Sequence, residues 1–464
     1  MSLLLLIPDG VGVRNFLRED FLRQAVRGGV VDVLHPIPAA FTERYPALAL
    51  EGVRAHALHE GPGTRLAALL RTSLAYAQMY WADTQSMRFA RRMPVRGGLR
   101  TRAVYGAARM IGAGAAWPGG LRALDRLHCA AASGAPEVAL YQRLFEELRP
   151  RVLFCSHQRP VSIVPPVLAA RSLGIPTATF IFSWDNITSK GRIAAPFDHY
   201  LVWSEHMRGE LLRYYPDVRP EQAHVVGTPQ FDPYMDDTLL WTRDEFFRRI
   251  GADPARPLVC YSGGDVGTTP EDAAHVAALL DQIRAGRVRG QPQVLLRPSP
   301  VDSGERFADV RARYPELLFA RPEWLHTQPG NWARVLPLPE DTAFLANLTR
   351  HADVNVNLAS TMTIDFALRD RPVVNVAFDV AEPPPFPLPL WDYYYRFEHY
   401  RPVVQLGAAR FARSPDELGA HVDDYLRDPS LDRDARRRLV ELEVGAPLGM
   451  AGARILETLG RIAR

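Results

Sequence analysis

The stretch HADVNVNLASTMTIDFALRDRPVVNVAFD, residues 351–379, decides the fold class of this chain. Its first part predicts a buried strand over Asp353–Leu358, because this β-prone run is too short for a helix. Ser360 or Thr361 then caps a short helix, which ends before the next proline because proline cannot continue a helix. A second buried strand follows over Val373–Ala377. A strand–helix–strand unit of this length predicts a parallel sheet with a right-handed crossover.

The turn between this strand and this helix predicts an anion site. It places the hydroxyls of Ser360, Thr361 and Thr363, together with free backbone N–H groups, at a helix N-terminus. A turn of this kind at the mouth of a parallel sheet binds phosphate readily. An ordinary helix cap in an α/β domain is the alternative interpretation, because serine and threonine caps are common.

Length and composition limit the number of domains and the classes of function that this chain can have. A chain of 464 residues predicts two or more domains. Its 47% hydrophobic and 23% charged residues are typical of a globular protein, and a net charge of only +3 argues against a nucleic-acid partner. The three cysteines have neither disulfide nor metal-ligand spacing, and no run of about 18 apolar residues appears. We therefore expect a cytoplasmic protein, at most peripheral at the inner face of the membrane.

The N-terminal sequence predicts the opening of a Rossmann-like domain. Leu3–Ile7 has a strand pattern, Pro8–Asn15 reads as a glycine-containing loop, and Phe16–Ala25 reads as a helix. The full GxGxxG pattern is missing, so nicotinamide binding has little support. Glycines let a ligand approach the backbone, and Asp9 and Arg14 would then face that ligand. A turn with a solvated aspartate is the alternative.

Between residues 63 and 148 the strand signals stop, and alanine, leucine and arginine recur at helical spacing. This composition predicts a helical insertion in the N-terminal half. Within it, Arg88–Arg126 contains nine arginines against one acidic residue, interleaved with aromatic and aliphatic side chains. Basic amphipathic helices can lie on anionic membranes or bind anionic ligands. A solvated helix face is the commoner explanation of such a pattern.

A second strand–helix–strand unit brings polar residues to the carboxyl ends of its strands. Val152–Cys155 is followed by His157, and Thr177–Phe182 leads into the polar loop Ser183–Gly191. Open α/β sheets bind ligands at this end of the sheet. The loop carries Asp185, Asn186 and Lys190, the only lysine of the chain.

The second half of the chain repeats this organisation after a linker rich in proline and aspartate. We therefore predict an α/β protein with two Rossmann-like domains. The first covers residues 1–235 and includes the helical insertion at about 63–148, the second covers 236–440, and a C-terminal helix covers 441–464.

Two Rossmann-like halves of similar size resemble the GT-B fold of glycosyltransferases, in which two such domains face a cleft. Gly227–Asp232 resembles the segment that closes the N-terminal half in the glycerophosphotransferases of teichoic acid synthesis. Ser262–Gly264 resembles the glycine loop that opens the C-terminal half, and Ala359–Asp365 resembles the serine-rich turn with its acidic residue. Arg297–Pro300 resembles an R/K-x-H-P segment, with Ser299 in place of the usual histidine.

The loop Ser183–Gly191 also resembles segments of bacterial surface-polysaccharide transferases. The resemblance covers roughly residues 150–430 and the N-terminal strand, and it extends to non-hydrolysing UDP-GlcNAc 2-epimerase-like folds. It implies a glycosyltransferase that moves a sugar from a nucleotide-sugar donor to a cell-surface glycan or a lipid-linked precursor. A CDP-glycerol-type glycerophosphotransferase, a sugar-nucleotide 2-epimerase and a non-enzymatic nucleotide-sugar-binding scaffold subunit stay open as alternatives.

The resemblance implies donor-binding roles as well. Backbone N–H groups and hydroxyls at a helix N-terminus stabilise the charge that grows on a leaving diphosphate, without a metal ion or cofactor. Asp365 would hold the ribose hydroxyls, although an aspartate in a first helical turn also suits the helix dipole. Arg297 would pair with phosphate or form a surface salt bridge. The predicted donor-binding residues are Gly263, Gly264, Arg297, Ser360, Thr361, Met362 and Asp365.

An inverting transferase needs a general base for the acceptor hydroxyl, and the resemblance implies that this base lies in the N-terminal half. No Glu-x7-Glu pair of the kind found in many retaining enzymes occurs in the second half, which favours inversion. Asp9 is the first candidate for the base, and Asp185 and His157 are the alternatives. The residues predicted to bind the acceptor or an anionic group are Arg14, Asn186 and Lys190, with the segment Arg88–Arg126 as a membrane contact.

Overall fold

A computed structural model describes residues 2–61, 63–327, 334–445 and 447–464. The chain forms two compact units, of which the first combines Met1–Gln230 with Met450–Arg464 and the second comprises Phe231–Gly449. The last helix of the chain therefore belongs to the first unit, although the sequence predicted it as a separate element.

A parallel sheet forms the centre of the first unit. Its described strands are β1 (Leu3–Leu6), β2 (Val31–His35), β3 (Val53–Ala57), β4 (Val152–Cys155), β5 (Thr177–Phe180), β6 (His199–Val202) and β7 (Ala223–Val225). They lie side by side in the order β3-β2-β1-β4-β5-β6-β7, and every pairing is parallel. β1 reads LLLL and is fully buried, as expected for a parallel strand covered on both faces.

The helices of the first unit include a large group between β3 and β4. The described helices are α1 (Gly10–Phe16), α2 (Glu19–Val26), α3 (Arg65–Ala82), α4 (Gln85–Arg92), α5 (Leu99–Gly114), α6 (Pro118–Ser133), α7 (Pro136–Leu148), α8 (Val164–Ser172), α9 (Asn186–Ser189) and α10 (Glu205–Tyr214). The five helices α3 to α7 confirm the predicted helical insertion.

The predicted glycine loop over Pro8–Asn15 is wrong, because most of it is helical, whereas helix α2 confirms most of the helix predicted over Phe16–Ala25. Helix α1 begins at Gly10, immediately after Asp9, and a break at Leu17 and Arg18 separates it from α2. The Asp9 side chain caps α1 by accepting a hydrogen bond from the Gly12 N–H at 3.1 Å. This cap stabilises a helix that two glycines would otherwise disfavour.

The second unit has a parallel sheet of the same kind. Its described strands are β8 (Leu258–Ser262), β9 (Gln293–Arg297), β10 (Leu318–Phe319), β11 (Trp324–His326), β12 (Val335–Pro337), β13 (Val354–Asn357), β14 (Val373–Val376) and β15 (Arg410–Ala412). Six of them form a sheet in the order β10-β9-β8-β13-β14-β15, and β11 pairs with β12 as a separate antiparallel hairpin.

Helices surround this second sheet. The described helices are α11 (Arg243–Ile250), α12 (Asp272–Arg284), α13 (Ala308–Arg313), α14 (Pro339–His351), α15 (Met362–Ala367), α16 (Leu390–Tyr394), α17 (Arg401–Leu406), α18 (Pro415–Arg427) and α19 (Arg433–Glu443), and α20 (Ala451–Ile462) follows in the first unit. Strand β13, helix α15 and strand β14 confirm the strand–helix–strand prediction for residues 351–379.

The order of strands locates the ligand-binding end of each sheet. In both sheets the chain starts in the middle, builds outwards on one side, and then crosses to the other side. The crossing falls between β1 and β4 in the first unit and between β8 and β13 in the second. Ligands of open α/β sheets bind at the carboxyl ends of the two strands that flank such a crossing.

Candidate functional site

Asp9 and His157 lie at the crossing point of the first sheet, because they follow the neighbouring strands β1 and β4. The His157 Nδ1 atom hydrogen-bonds the Asp9 Oδ2 atom, and both side chains are buried. Oδ1 of Asp9 accepts the Gly12 N–H that caps α1. The sequence proposed these two residues as alternatives for one role, and the fold joins them into one pair.

Glycine at position 12 is required where α1 packs against the loop after β4. A Cβ atom on Gly12 would lie 2.3 Å from the Ser156 Oγ atom and 3.0 Å from the Ile7 Cγ2 atom. Both distances are shorter than van der Waals contact, so a side chain at this position would require the Ser156 and Ile7 side chains to move. Gly12 therefore allows the helix start and the His157 loop to lie together.

The Asp9 carboxyl is ionised at neutral pH. Burial by itself would raise its pKa, but the adjacent His157 ring and the N–H groups of Gly12 and Val11 outweigh burial and hold the pKa below its ordinary value. An ionised carboxylate only accepts hydrogen bonds, so Nδ1 of His157 carries the proton that joins the pair. The Nε2 atom is then the basic nitrogen of the ring.

Nε2 of His157 is buried and has no hydrogen-bond partner among the residues that the structure describes. The same holds for Ser156 Oγ, on the same loop, and for Asn15 Nδ2, on α1. Buried polar atoms in native proteins nearly always have a partner, so these atoms indicate a place where solvent or a ligand binds. An acceptor hydroxyl at Nε2 would face a base that a carboxylate orients.

Asp185, the other candidate base, is held inside its own loop. Its Oδ1 atom accepts from the Ser183 hydroxyl at 2.6 Å and from Asn186 Nδ2 at 3.0 Å. Its Oδ2 atom accepts from the Ser189 hydroxyl at 2.7 Å and lies 3.6 Å from Lys190 Nζ. These contacts use the carboxylate to shape the loop, so Asp185 is less available as a base than His157.

The three residues predicted to bind an anion have different environments. Asn186 is buried between Asp185 and Gln158 Nε2, which donates to its Oδ1 atom at 3.1 Å, so both ends of its amide are used. Lys190 is paired with Asp185. Arg14 donates from Nη2 to Gln230 Oε1 at 3.0 Å and from Nε to its neighbour's side-chain oxygen at 3.2 Å. Only neutral oxygens bind Arg14 in the described residues, so its charge stays available.

The turn between β13 and α15 is built on a buried asparagine. Asn357 Oδ1 accepts the Ser360 N–H at 2.9 Å, and the Ser360 hydroxyl accepts the Met362 N–H at 3.3 Å. Ala359 adopts a left-handed backbone conformation with φ of 47°, which tightens the turn. Thr361 occupies the cap position of α15 without a hydrogen bond from its side chain. The N–H groups of Ser360, Met362 and Thr363, which were expected to be free, are therefore already bonded. The Thr361 hydroxyl has no hydrogen bond within the described part of the chain.

Two predicted donor-binding side chains are buried and paired within the second unit. Arg297 forms an ion pair with Asp341, at 2.7 Å between Nη2 and Oδ1, and both side chains are buried. Asp365 is buried in α15 and accepts a hydrogen bond from the Tyr234 hydroxyl. These contacts anchor the two residues in the protein core, and their roles in phosphate and ribose binding stay predictions.

The predicted glycine loop after β8 wraps a buried carboxylate. Asp272 accepts from the Gly264 N–H at 2.9 Å, from the Thr269 hydroxyl at 2.6 Å and from the Tyr261 hydroxyl at 2.8 Å. A Cβ atom on Gly264 would lie 2.6 Å from Thr269 Oγ1, and one on Gly263 would lie 3.3 Å from Asp272 Oδ2. The two glycines thus permit close packing around Asp272, at the carboxyl end of β8.

Comparison with known proteins finds solved structures that share this architecture. No protein-family model matches the chain, and no curated protein sequence does. The solved UDP-GlcNAc 2-epimerase of Neisseria meningitidis is 9% identical with a TM-score of 0.54, covering 99% of this chain and 100% of its own. A glycosyltransferase from Rickettsia africae is 9% identical with a TM-score of 0.53, covering 100% and 98%. The chain has the GT-B fold.

A third structure with this likeness is the wall teichoic acid polymerase TagF, at 9% identity and a TM-score of 0.51, covering 100% of this chain and 88% of its own. Such low identities show the fold alone. The GT-B fold confirms the fold class predicted from the sequence, and it leaves the reaction to be argued from the site.

Sequence reasoning missed the partners that hold several predicted site residues in place. Asn357, Asp341 and Asp272 were not singled out, although each is buried and supports a predicted site residue. Asn357 had a local signal, because an asparagine in a buried strand needs a hydrogen-bond partner. Asp341 had none, since its partner Arg297 is 44 residues away in the chain. Asp272 lies only 8 residues from Gly264, but their contact depends on how the loop after β8 folds back.

Neither a metal centre nor a membrane span is found in the described residues of this GT-B chain. No three His, Cys, Asp or Glu side chains come together there in a way that could hold a metal ion. No helix in that part of the chain has both the length and the apolar character needed to span a bilayer. The expectation that transfer needs no metal or cofactor stays a prediction.

Proposed function

We propose that this chain is an inverting glycosyltransferase of the GT-B type. It moves a sugar from a nucleotide-sugar donor to a cell-surface glycan or its lipid-linked precursor, at the cytoplasmic side of the membrane. The single observation that carries the proposal is the Asp9–His157 pair, whose Nε2 atom is buried and unpaired among the described residues at the carboxyl ends of β1 and β4. Deprotonation of an acceptor hydroxyl requires a positioned base, and a histidine oriented by a carboxylate meets that requirement.

The second unit supports a donor site at the corresponding place. The glycine loop after β8 and the turn after β13 follow neighbouring strands at the crossing of its sheet. The Thr361 hydroxyl and the start of α15 would meet the diphosphate of the donor, and Gly263 and Gly264 would allow it to approach the backbone. The proteins of similar fold include one bound to UDP-GlcNAc, which supports a nucleotide sugar as the donor class.

A thermal-shift panel of UDP, CDP, GDP and dTDP sugars tests this donor site. A ligand that binds only the folded state raises the melting temperature, and more so as its concentration exceeds its Kd. We expect one nucleotide class to raise it, and the Ser360→Ala/Thr361→Ala variant to lose most of that rise. Thr42→Ala, at a partly exposed threonine of the first unit, serves as the control and should keep it. A panel in which no nucleotide sugar shifts the wild type would count against the proposal.

Two observations keep other reactions as alternatives. The TagF structure of similar fold was soaked with CDPG, which keeps a glycerophosphotransferase open, and several epimerases share the fold. An epimerase needs no acceptor and a scaffold gives no product, so reaction products separate these functions from transfer.

A contact with the membrane through α4 to α6 is part of the proposal. Between Asp83 and Asp125 the sequence contains eight arginines and no acidic residue. Helix α5 is exposed over its first two turns, where Leu99 is 86% exposed, and Met110 further along is 74% exposed. Arg88 and Arg91 pair with Asp83 and Arg122 pairs with Asp217, whereas Arg92, Arg96 and Arg100 form no ion pair among the described residues. Apolar side chains next to such unpaired arginines suit the interface of an anionic bilayer.

Co-sedimentation with liposomes tests the membrane contact. We expect binding to vesicles that contain anionic phospholipid, weak binding to neutral vesicles, and a loss of binding for Arg92→Gln/Arg96→Gln/Arg100→Gln, because each arginine near such a surface contributes about 1 kcal/mol. The control variant changes three exposed arginines of the second unit, Arg248, Arg437 and Arg438, to glutamine. Equal sedimentation of wild type and the first variant would rule this surface out.

A further inference from the structure

Two arginines of the first unit come together without a counter-ion. Arg159 lies on the loop after β4, two residues beyond His157, and Arg71 lies on α3. Nη2 of Arg71 donates to the backbone oxygen of Arg159 at 2.9 Å. Both side chains are half-buried, and among the described residues neither guanidinium forms an ion pair. Partly buried charges normally have a partner, because removing an unpaired ion from water is costly.

The electrostatics of the two arginines agree with this geometry. Burial, and after it the charge of Arg159, lowers the pKa of Arg71 to about 10. Burial also lowers the pKa of Arg159, against the opposing effects of Asp185, Tyr215 and Asp9. Both side chains nevertheless carry their charge at neutral pH. The fold therefore maintains two neighbouring positive charges that form no ion pair among the described residues, while Asp185 and Asp9 act on Arg159 from a longer distance.

The carboxylates in the neighbourhood are already engaged. Asp9 is bound to His157 and Gly12, and Asp185 is bound to hydroxyls and an amide of its own loop. Neither carboxylate forms an ion pair with the two arginines, so an anion that contacts both guanidinium groups directly would come from outside the chain. The guanidinium group is well suited to phosphate, which it can bind through two parallel hydrogen bonds.

The loop that carries Arg159 is fixed on both sides. The Gln158 side chain donates to Asn186, and the Gln158 backbone oxygen accepts from the Ala194 N–H at 2.9 Å. His157 and Arg159 therefore have a fixed separation on the two sides of Gln158. A group bound at Arg159 would be held at a constant distance from the Nε2 atom of His157.

We propose that Arg71 and Arg159 form a subsite for a phosphate or diphosphate group beside the Asp9–His157 pair. The role of this subsite is to position a phosphate-bearing substrate next to the His157 base, and this role depends on the proposed transferase function. The phosphate belongs either to the acceptor, as in a lipid-linked sugar, or to the nucleotide donor. Binding of the phosphate itself requires neither turnover nor the correct sugar.

Calorimetric titration of the full chain with inorganic pyrophosphate, UDP and geranyl diphosphate tests the subsite. The titrations use the Ser360→Ala/Thr361→Ala background, so that binding at the turn after β13 does not contribute. We expect pyrophosphate to bind, and Arg159→Gln and Arg71→Gln each to weaken it by about tenfold or more, the loss of one hydrogen bond between charged groups. Arg65→Gln, an exposed arginine on the same helix α3, should leave binding unchanged.

UDP and geranyl diphosphate distinguish the two possible sources of the bound phosphate, the nucleotide donor and the lipid-linked acceptor. Loss of geranyl diphosphate binding in Arg159→Gln assigns the subsite to a lipid-linked acceptor, and loss of UDP binding assigns it to the donor. Arg159→Gln should melt no lower than the parent protein without ligand, because it removes an unpaired charge, and Arg159→Lys should retain part of the affinity. Failure of pyrophosphate to bind, or equal affinity in all variants, would overturn the subsite whether or not the chain proves to be a transferase.

Discussion

Replacing His157 with alanine is expected to lower kcat for sugar transfer by about 10²- to 10⁴-fold, the contribution of a positioned general base. Nε2 of His157 is buried and unpaired in the described residues, and Asp9 holds the ring through Nδ1. Donor binding should not change, because the donor is proposed to bind in the second unit. Steady-state kinetics with the donor found in the thermal-shift panel measures the effect.

Asp9→Asn should lower kcat by a similar factor, because the asparagine amide can donate a hydrogen bond to Nδ1 and so move the ring proton to Nε2. The kcat of the double variant should be little lower than that of His157→Ala alone, because the effects of residues that act as one unit are not additive. The control is His56→Ala, which removes another His–Asp pair of this unit, where His56 Nε2 lies 2.8 Å from Asp32 Oδ1. Full activity in His157→Ala would remove the pair from the mechanism.

Asp341→Ala is expected to destabilise the second unit by about 3–5 kcal/mol, the cost of leaving one partner of a buried ion pair alone. The variant would leave the buried Arg297 without its counter-ion. In the wild type its guanidinium pairs with Asp341 at 2.7 Å and lies 4.9 Å from the centre of the Phe344 ring. It would also leave the Trp324 indole N–H, now 2.7 Å from Asp341 Oδ2, without its partner. Urea unfolding followed by tryptophan fluorescence measures the loss.

The destabilisation should depend on pH. Burial raises the pKa of Asp341, but Arg297 and the N–H donors outweigh it, so the folded-state pKa lies below the ordinary value. A depressed carboxyl pKa gives stability that is complete above the unfolded pKa of about 3.9 and is lost as the pH falls through the folded pKa. The difference between wild type and Asp341→Ala should therefore be full at neutral pH and shrink below about pH 4.

Glu340→Ala, at the exposed neighbouring position, is the matched control and should change stability little. Unfolding and donor binding, both measured on Asp341→Ala, decide the role of Arg297, which the sequence proposed for phosphate binding. If Asp341→Ala unfolds like the wild type but loses affinity for the donor, Arg297 acts on the ligand and not on the fold.

Local sequence patterns predicted most of the architecture. The strand, turn and helix over residues 351–379 follow from β-branched residues, a hydroxyl-rich turn and a proline, all of which act over a few neighbours. Helix α1 was missed because GVGV is a poor helix sequence whose stability comes from the Asp9 cap. The edge strand β3 was also missed, because its sequence VRAHA is largely exposed and lacks a buried-strand pattern.

The candidate site was only partly predictable, because its contacts join distant residues. Asp9 and His157 could each be named from residue type and position at a strand end, but their contact depends on β1 lying beside β4 across the helical insertion. The pairing of Arg297 with Asp341 and of Asp365 with Tyr234 also depends on tertiary packing, and no local spacing signals either.

Mass spectrometry of a complete reaction tests sugar transfer most directly. The mixture contains the nucleotide sugar that binds in the panel, a lipid-linked saccharide as acceptor, and either wild type or His157→Ala. We predict that wild type adds one sugar mass to the acceptor and releases the nucleoside diphosphate, while His157→Ala forms almost no product. An altered sugar on the nucleotide without acceptor, or a bound donor that is never consumed, would contradict transfer and favour an epimerase or a scaffold.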